Sequence, residues 1–457
     1  MAALPERKIA IVRTLVETAP ERILLSLQQA LEGTEDESSL GGVRKLVDVE
    51  IADRALRDAI FEPVVRLFNA ASREPRRLTF PPRALNLMWR ALCEIEAPAI
   101  DAARAAREAR NPNHSLISKY DTLVAVAANG LRGTGGPGFQ TAADLCDQVR
   151  PGGARLLVGC LDIAPVVRRC TERLPVWIAH PGGDTAAATR LAYNDAGEVA
   201  DDAGPRFFTM IAAQLAHPWM VLRVISAVMD RPTERYMADS ELADFAEVVM
   251  DEIDEVLAIV DDLDLTGGAE AGANAAVQVG LVVQKIHEIE TAIDLQRENG
   301  WGNRVHKQRL SLASVVEGRL RDAEKAVTEA LPMHTIKSGR VSRTVPRLTS
   351  MPNPADIQKA RTLLALCDEL RSAANYGGFA SVRSKIIETL TEYLGQYVEQ
   401  VLELIRQNEV EDRACAADFL KISAEFSERV AGDKVGELVR RRTHTTLNAS
   451  AQIEANG

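Results

Sequence analysis

Residues 275–293 read AAVQVGLVVQKIHEIETAI and carry the strongest structural signal in the chain. Their apolar positions follow a 4-3-4-3-4 spacing, which is typical of a helix face that packs along another helix. The positions are Ala275, Val279, Val282, Ile286, Ile289 and Ile293. The spacing therefore predicts a long helix with an apolar seam, which could pair within the chain or with a second molecule.

The segments on both sides of this seam predict further long helices. Residues 237–264 repeat apolar side chains at intervals of three and four, and the glycines of LTGGAEAG at 265–272 are suited to ending one helix and reversing direction. The two helices are expected to form an antiparallel hairpin. Residues 312–331 continue the same periodicity and can add a third helix.

Composition supports helices throughout the 457 residues. The chain is 46% hydrophobic but only 4% aromatic, and no stretch alternates strictly between apolar and polar residues, as a half-buried strand would. We therefore expect an all-α protein without strands. Its architecture is predicted to be an irregular multi-helical N-terminal core followed by long-helix hairpin and bundle regions.

Turn residues and changes in helix length suggest six regions. The frequent prolines between residues 141 and 235 predict short helices, whereas the helices beyond residue 235 are predicted to be long. The expected regions are an N-terminal helical region (1–139), a compact short-helix core (140–235), a long-helix region with an acidic face (236–331), a Pro/Ser/Thr/basic linker (332–354), a C-terminal helical bundle (355–443) and a flexible tail (444–457).

The formal net charge of −11 is unevenly distributed. The 49 residues between Arg235 and Lys285 contain twelve acidic side chains and no basic one, whereas residues 301–347 hold ten basic and four acidic side chains. Three interpretations stay open: an acidic helix face paired with basic residues of the same chain, a docking face for a basic partner, and a cation site.

Five acidic residues are weak candidates for metal ligands: Asp251, Glu255, Asp261, Asp262 and Asp264. Asp251 and Glu255 are one helical turn apart, as carboxylates that share Mg²⁺ ions must be. A DDxxD motif of the isoprenoid-synthase kind fails because residue 265 is Leu. An EF-hand loop starting at Asp262 fails because its twelfth position is Ala273, so we expect a helix end and turn there.

Other motifs do not indicate a catalytic centre or a cofactor. The six cysteines include no CxxC pair and are interpreted as small buried thiols, which suits a reducing compartment. The glycine-rich loop at 132–140 lacks the Lys-Ser/Thr pair of a P-loop and is interpreted as a flexible linker. The apolar run from Ile9 to Val12 is too short for a signal peptide, and no segment is long and apolar enough for a membrane span. We expect a cytoplasmic protein.

These observations favour a non-catalytic helical scaffold, adaptor or regulatory protein that binds a protein partner or itself through its long helices. Its 43 arginines against 11 lysines suggest a GC-rich bacterial source. The predicted interaction residues are Glu247, Asp251, Asp254, Glu255, Val279, Val282, Ile286, Ile289 and Ile293. The alternatives are a magnesium-dependent all-α enzyme that uses the acidic helices, and a nucleic-acid-associated factor that uses the basic segment 301–347. The acidic balance makes nucleic acid the less favoured partner.

Overall fold

The structure is a computed structural model that describes residues 6–33, 39–69, 77–108, 114–200, 202–229, 232–296, 298, 300–338 and 341–455. Within these ranges the protein is all-α, as predicted, with 22 α-helices and one two-stranded sheet. The chain forms two compact units, Met1–Asp230 and Arg231–Gly457. Among the helices described, none combines the length and apolar character needed to cross a membrane.

The first unit contains thirteen of these helices, most of them short. They are α1 Glu6–Thr18, α2 Glu21–Ala30, α3 Ser39–Ile60, α4 Glu62–Val65, α5 Pro82–Ile95, α6 Ala97–Glu108, α7 His114–Asn129, α8 Pro137–Val149, α9 Gly153–Thr171, α10 Leu174–Ala179, α11 Asp184–Val199, α12 Ala203–Gln214 and α13 Val221–Val228. Helices on both sides of residue 139 pack together, because α8 lies against α5 and α9.

The second unit contains the longer helices and the sheet. Its elements are α14 Glu234–Ala238, α15 Ala243–Asp261, α16 Gly268–Ala292, α17 Gly300–Ala330, β1 Met333–Ser338, β2 Val341–Pro346, α18 Pro354–Glu369, α19 Ala374–Gly377, α20 Ala380–Arg406, α21 Arg413–Ala431 and α22 Asp433–Ala455. Helix α16 packs against α15 and α18, and α18 also packs against α17. The long helices predicted from residue 237 to residue 331 are thus present as α15, α16 and α17.

The first three helices have a small core of their own. Helices α1 and α2 both pack against α3, and Val16, Leu24, Leu31 and Val47 are buried between them. Arg54 of α3 donates hydrogen bonds at the C-terminal end of α1, to Glu17 O at 3.1 Å and, just after the helix, to Ala19 O at 3.0 Å. A cation at the C-terminal end of a helix stabilises it, so this contact fixes α1 on α3.

The glycine-rich loop at 132–140, expected to be a flexible linker, is closely packed instead. Residues Gly130–Thr134 form a π-helical turn, and Gly133 adopts a positive φ of 107° that favours glycine. A Cβ atom on Gly130 would lie 2.8 Å from the ring of Phe139, and one on Gly135 would lie 2.5 Å from it. The glycines here make room for the buried Phe139 ring.

Two expectations for the second unit are wrong. Residues 332–354, expected to be a linker without strands, contain the antiparallel hairpin β1–β2. The sequence carried the signal, because β-branched residues flank a Ser-Gly pair at 338–339. Residues 444–455, expected to be a flexible tail, continue helix α22, whose first part packs against α21.

Candidate functional site

The acidic residues singled out on α15 are partly paired with basic residues of α17. Arg304 donates to Asp251 Oδ1 and to Asp254 Oδ2, both at 2.5 Å. Arg319 Nη2 lies 3.9 Å from the carboxylate of Asp261. For these three carboxylates, pairing within the chain is the arrangement that the structure shows.

The proposed metal ligands do not converge. In the described part of the chain, no three His, Cys, Asp or Glu side chains are grouped so that they could hold a metal ion. Glu255 and Asp262 are exposed, and Glu247 is half-buried. Asp264 accepts hydrogen bonds from the hydroxyl of Thr266 at 2.7 Å and from its N–H at 2.8 Å, which hold the pKa of Asp264 below its usual range. The turn expected after α15 is therefore present.

The apolar seam of α16 is not available to a second molecule. Its five predicted interaction residues are all at most 2% exposed: Val279, Val282, Ile286, Ile289 and Ile293. The prediction of an intermolecular seam is therefore wrong for these residues. The physical reason is that α18, which follows the segment interpreted as a linker, packs against α16 within the same unit.

Shortening a side chain of this seam should therefore lower the stability of the protein and leave its oligomeric state unchanged. Ile289→Ala removes buried methyl and methylene groups and is expected to lower the free energy of unfolding by about 2–5 kcal/mol. Urea denaturation measures the loss, and light scattering on the folded variant measures the mass. If the folded variant were a monomer and the parent protein a dimer, this result would instead support a seam that pairs two molecules.

The structure draws attention to a site that the sequence did not suggest, a cleft of about 400 Å³ in the first unit. It lies between α1, α3, α5 and α6. Five carboxylates but only two guanidinium groups line it, so its lining has a net negative charge. The polar lining residues are Glu17, Glu50, Asp53, Glu94, Asp101, Arg90, Arg104, Asn86, Trp89 and Cys93.

Asp53 is the central carboxylate of the cleft. Its Oδ2 accepts a hydrogen bond from Trp89 Nε1 at 2.7 Å, and its Oδ1 accepts one from Arg104 at 3.0 Å. Arg104 also donates to Asp101 at 2.8 Å. These bonds tie α3, α5 and α6 together, so the shape of the cleft is set before any ligand arrives.

Two further ion pairs lie along the cleft. Arg54 pairs with Glu50 at 2.6 Å on α3, and Arg90 of α5 lies 3.2 Å from Glu17 of α1. Glu94 is exposed at the end of α5. Exposed ion pairs such as Arg90–Glu17 add little to the stability of the protein. Charges held in fixed positions can, however, select a partner of opposite charge.

The first unit also carries exposed apolar side chains. Val49 and Ile95, which neighbour Glu50 and Glu94 in sequence but do not line the cleft, are 67% and 49% exposed. Seven of the 22 large apolar residues that are exposed in the described chain fall between residues 11 and 49. They include two pairs one helical turn apart: Ile11 with Leu15 on α1, and Ile23 with Leu27 on α2. Concentrations of exposed apolar side chains are typical of interaction surfaces.

Sequence reasoning missed this cleft because its residues are spread over four helices. Glu17 and Arg104 are 87 positions apart, and within one helix the lining shows only short charge patterns, such as Glu50 and Asp53, one helical turn apart on α3. A charge pattern of that length occurs on many solvated helices. The apolar residues Ile11, Leu15, Ile23 and Leu27 are visible in the sequence. Their exposure, which makes them candidates for an interaction surface, is visible only in the structure.

The thiol of Cys93 in the cleft is protonated at neutral pH. Burial, with the nearby charge of Asp53 adding to it, raises the pKa of Cys93 to about 12. The thiolate is the nucleophilic form of cysteine, so this side chain is inert near pH 7. All six cysteines are free, as the sequence predicted, and all but Cys93 are buried.

Alkaline pH should destabilise the protein through its thiols. Burial raises the pKa of five of them from about 9 to about 12: Cys93, Cys146, Cys160, Cys170 and Cys367. Between these pH values the native state keeps protons that the unfolded state has lost, so the free energy of unfolding should fall as pH rises from 9 towards 12.

Urea denaturation at pH 7.5, 9 and 10.5 measures this dependence. The double variant Cys160→Ala Cys367→Ala removes two thiols that are at most 1% exposed, and its stability should fall less steeply over the same range. An identical slope in the parent and the double variant would show that the thiols are not the cause.

Comparisons with known proteins add no family: no family model, no curated protein and no solved structure matches this chain. The functional interpretation therefore rests on the contacts, charges and exposed surfaces described above.

Proposed function

We propose that the protein is a non-catalytic helical adaptor, scaffold or regulatory protein whose first unit binds a partner protein at the acidic cleft. The observation that carries the proposal is the acidic lining of the cleft, together with the concentration of exposed apolar side chains between residues 11 and 49. Apolar area supplies affinity, and fixed charges supply selectivity.

The chemistry of the cleft favours a basic, amphipathic segment of the partner. The carboxylates attract lysine or arginine side chains, and the exposed Leu15 of α1 and Val49 of α3 offer apolar area for the opposite face of such a segment. Two copies of this protein would bring two acidic clefts together, and like charges repel. A basic partner is therefore favoured over self-association at this surface.

The interaction is proposed to take place in the cytoplasm of a bacterium. Six free thiols suit a reducing compartment, and the preference for arginine over lysine suits a GC-rich genome.

Site-specific photo-cross-linking tests the proposal. Benzoylphenylalanine placed at Val49 is expected to give a cross-linked product with one predominant protein in cells that express the chain. Val277 on α16 is similarly exposed, at 59%, and serves as the matched control position. Equal patterns of products from both positions, or products that contain only this chain, would refute a specific partner at the cleft.

A further inference from the structure

The hairpin of the second unit is a fixed element with an open side. The buried side chain of Val345 anchors β2, which packs against α20. Tyr393 Oη donates to Leu331 O at 2.5 Å just before β1, and Cys415 Sγ lies 3.3 Å from Ser350 O after β2. Both ends of the hairpin are therefore attached to the helical body.

The register of the hairpin shows which backbone groups point outward. Met333 pairs with Pro346 and Thr335 with Thr344, and Arg347 N donates to Pro332 O at 2.9 Å. Hydrogen-bonded and non-hydrogen-bonded pairs alternate along an antiparallel ladder. The pairs of Met333 and Thr335 are therefore non-hydrogen-bonded ones, and the N–H and C=O groups of these two residues point away from β2.

No strand of the described chain covers this outer edge of β1, since the sheet has only two strands. The side chains of His334, Thr335 and Ile336 are exposed, and Ile336 is 48% exposed. Proteins usually protect an edge strand by covering it, shortening it or placing charges on it, because its free groups pair readily with another chain.

We propose that the outer edge of β1 binds an extended acidic peptide segment of a partner by strand addition. The sequence of residues 330–355 contains four basic residues and no acidic one, and one of them, the exposed Arg347, is bonded through its N–H to Pro332 O at the start of β1. The free N–H and C=O groups at Met333 and Thr335 are the groups that a peptide backbone pairs with, which favours a peptide over a nucleic acid. This surface belongs to the second unit and the cleft to the first, and the inference does not depend on the partner proposed for the cleft.

A proline at residue 335 tests the proposal at the edge itself. The N–H of Thr335 points outward, so Thr335→Pro removes a docking group and leaves the ladder between β1 and β2 intact. Thr344→Pro is the matched control, because it removes the outward N–H of the paired residue on the opposite edge of the same hairpin.

The probe is a fluorescein-labelled octapeptide of alternating glutamate and valine, and its binding to the full chain is measured by fluorescence anisotropy. We expect Thr335→Pro to weaken binding about tenfold, as the loss of backbone hydrogen bonds implies, and Thr344→Pro to change it less than twofold. Circular dichroism checks that both variants are folded.

A second experiment changes the peptide and uses the unaltered protein, so its result does not depend on how the proline variants fold. The same peptide with N-methyl groups on alternate amides cannot complete a strand ladder, and it should bind the unaltered protein about tenfold more weakly. Strand addition is overturned if the methylated peptide binds as tightly as the parent peptide, or if no binding is detected at millimolar peptide. It is also overturned if a single-stranded oligothymidylate competes while Thr335→Pro has no effect, because charge alone would then explain the binding.

Discussion

Replacing Glu234 with alanine is expected to lower the free energy of unfolding by about 3–5 kcal/mol. The buried carboxylate of Glu234 accepts three backbone hydrogen bonds: from Trp301 N at 2.6 Å, from Gln296 N at 3.0 Å and from Gly302 N at 3.2 Å. Trp301 and Gly302 begin α17, where the N–H groups have no partner within the helix. Alanine would leave the N–H groups of Trp301 and Gly302 unsatisfied at a buried site and would remove the acceptor of Gln296 N.

The isosteric change Glu234→Gln is the control for this prediction. It keeps the size of the side chain and one acceptor oxygen but removes the charge that favours the N-terminal end of a helix, so its loss should be about half as large. Urea denaturation of the three proteins measures the difference. Equal stability of the alanine variant and the parent protein would contradict a capping role for Glu234.

Replacing Gly272 with alanine is expected to destabilise the second unit by about 3 kcal/mol. Gly272 lies where α16 crosses α18, and an added Cβ atom would overlap the carbonyl oxygen of Thr362. Backbone cannot yield as a flexible side chain can, so the two helices would have to move apart. The hydroxyl of Thr362 also donates to Leu265 O at 3.1 Å, and this bond would be disturbed.

Gly280 provides a matched control on the same helix. A Cβ atom there would meet nothing within 4 Å, so Gly280→Ala should be neutral or stabilise the protein by up to about 1 kcal/mol, because alanine favours helices. Thermal denaturation distinguishes the two variants. If both had the same stability, the close approach of α16 and α18 at Gly272 would be refuted.

The sequence was sufficient to predict the all-α class and the long helices α15, α16 and α17. Their apolar periodicity extends over several turns, and burial of that face determines the secondary structure. The periodicity could not say what covers the seam, because any apolar helix face satisfies it. Here both α15 and α18 pack against α16, and α18 begins more than 60 residues further along the chain.

The hairpin and the cleft were missed for different reasons. The hairpin had local signals, β-branched residues on both sides of Ser338 and Gly339, but its prolines and basic residues favoured a linker. The cleft had almost none, because Glu17, Asp53, Trp89 and Arg104 meet only after α1, α3, α5 and α6 have packed. Long-range packing of this kind is not encoded in any short window of sequence.

The affinity of the protein that is cross-linked at Val49 tests the central claim, a partner site at the acidic cleft, most directly. Calorimetric titration of that partner into the parent protein, the double variant Leu15→Ser Val49→Ser and the control Val277→Ser compares exposed apolar positions on two helices of the cleft with one on α16. We predict at least about tenfold weaker binding for the double variant and unchanged binding for the control. The same affinity for all three proteins would contradict the claim.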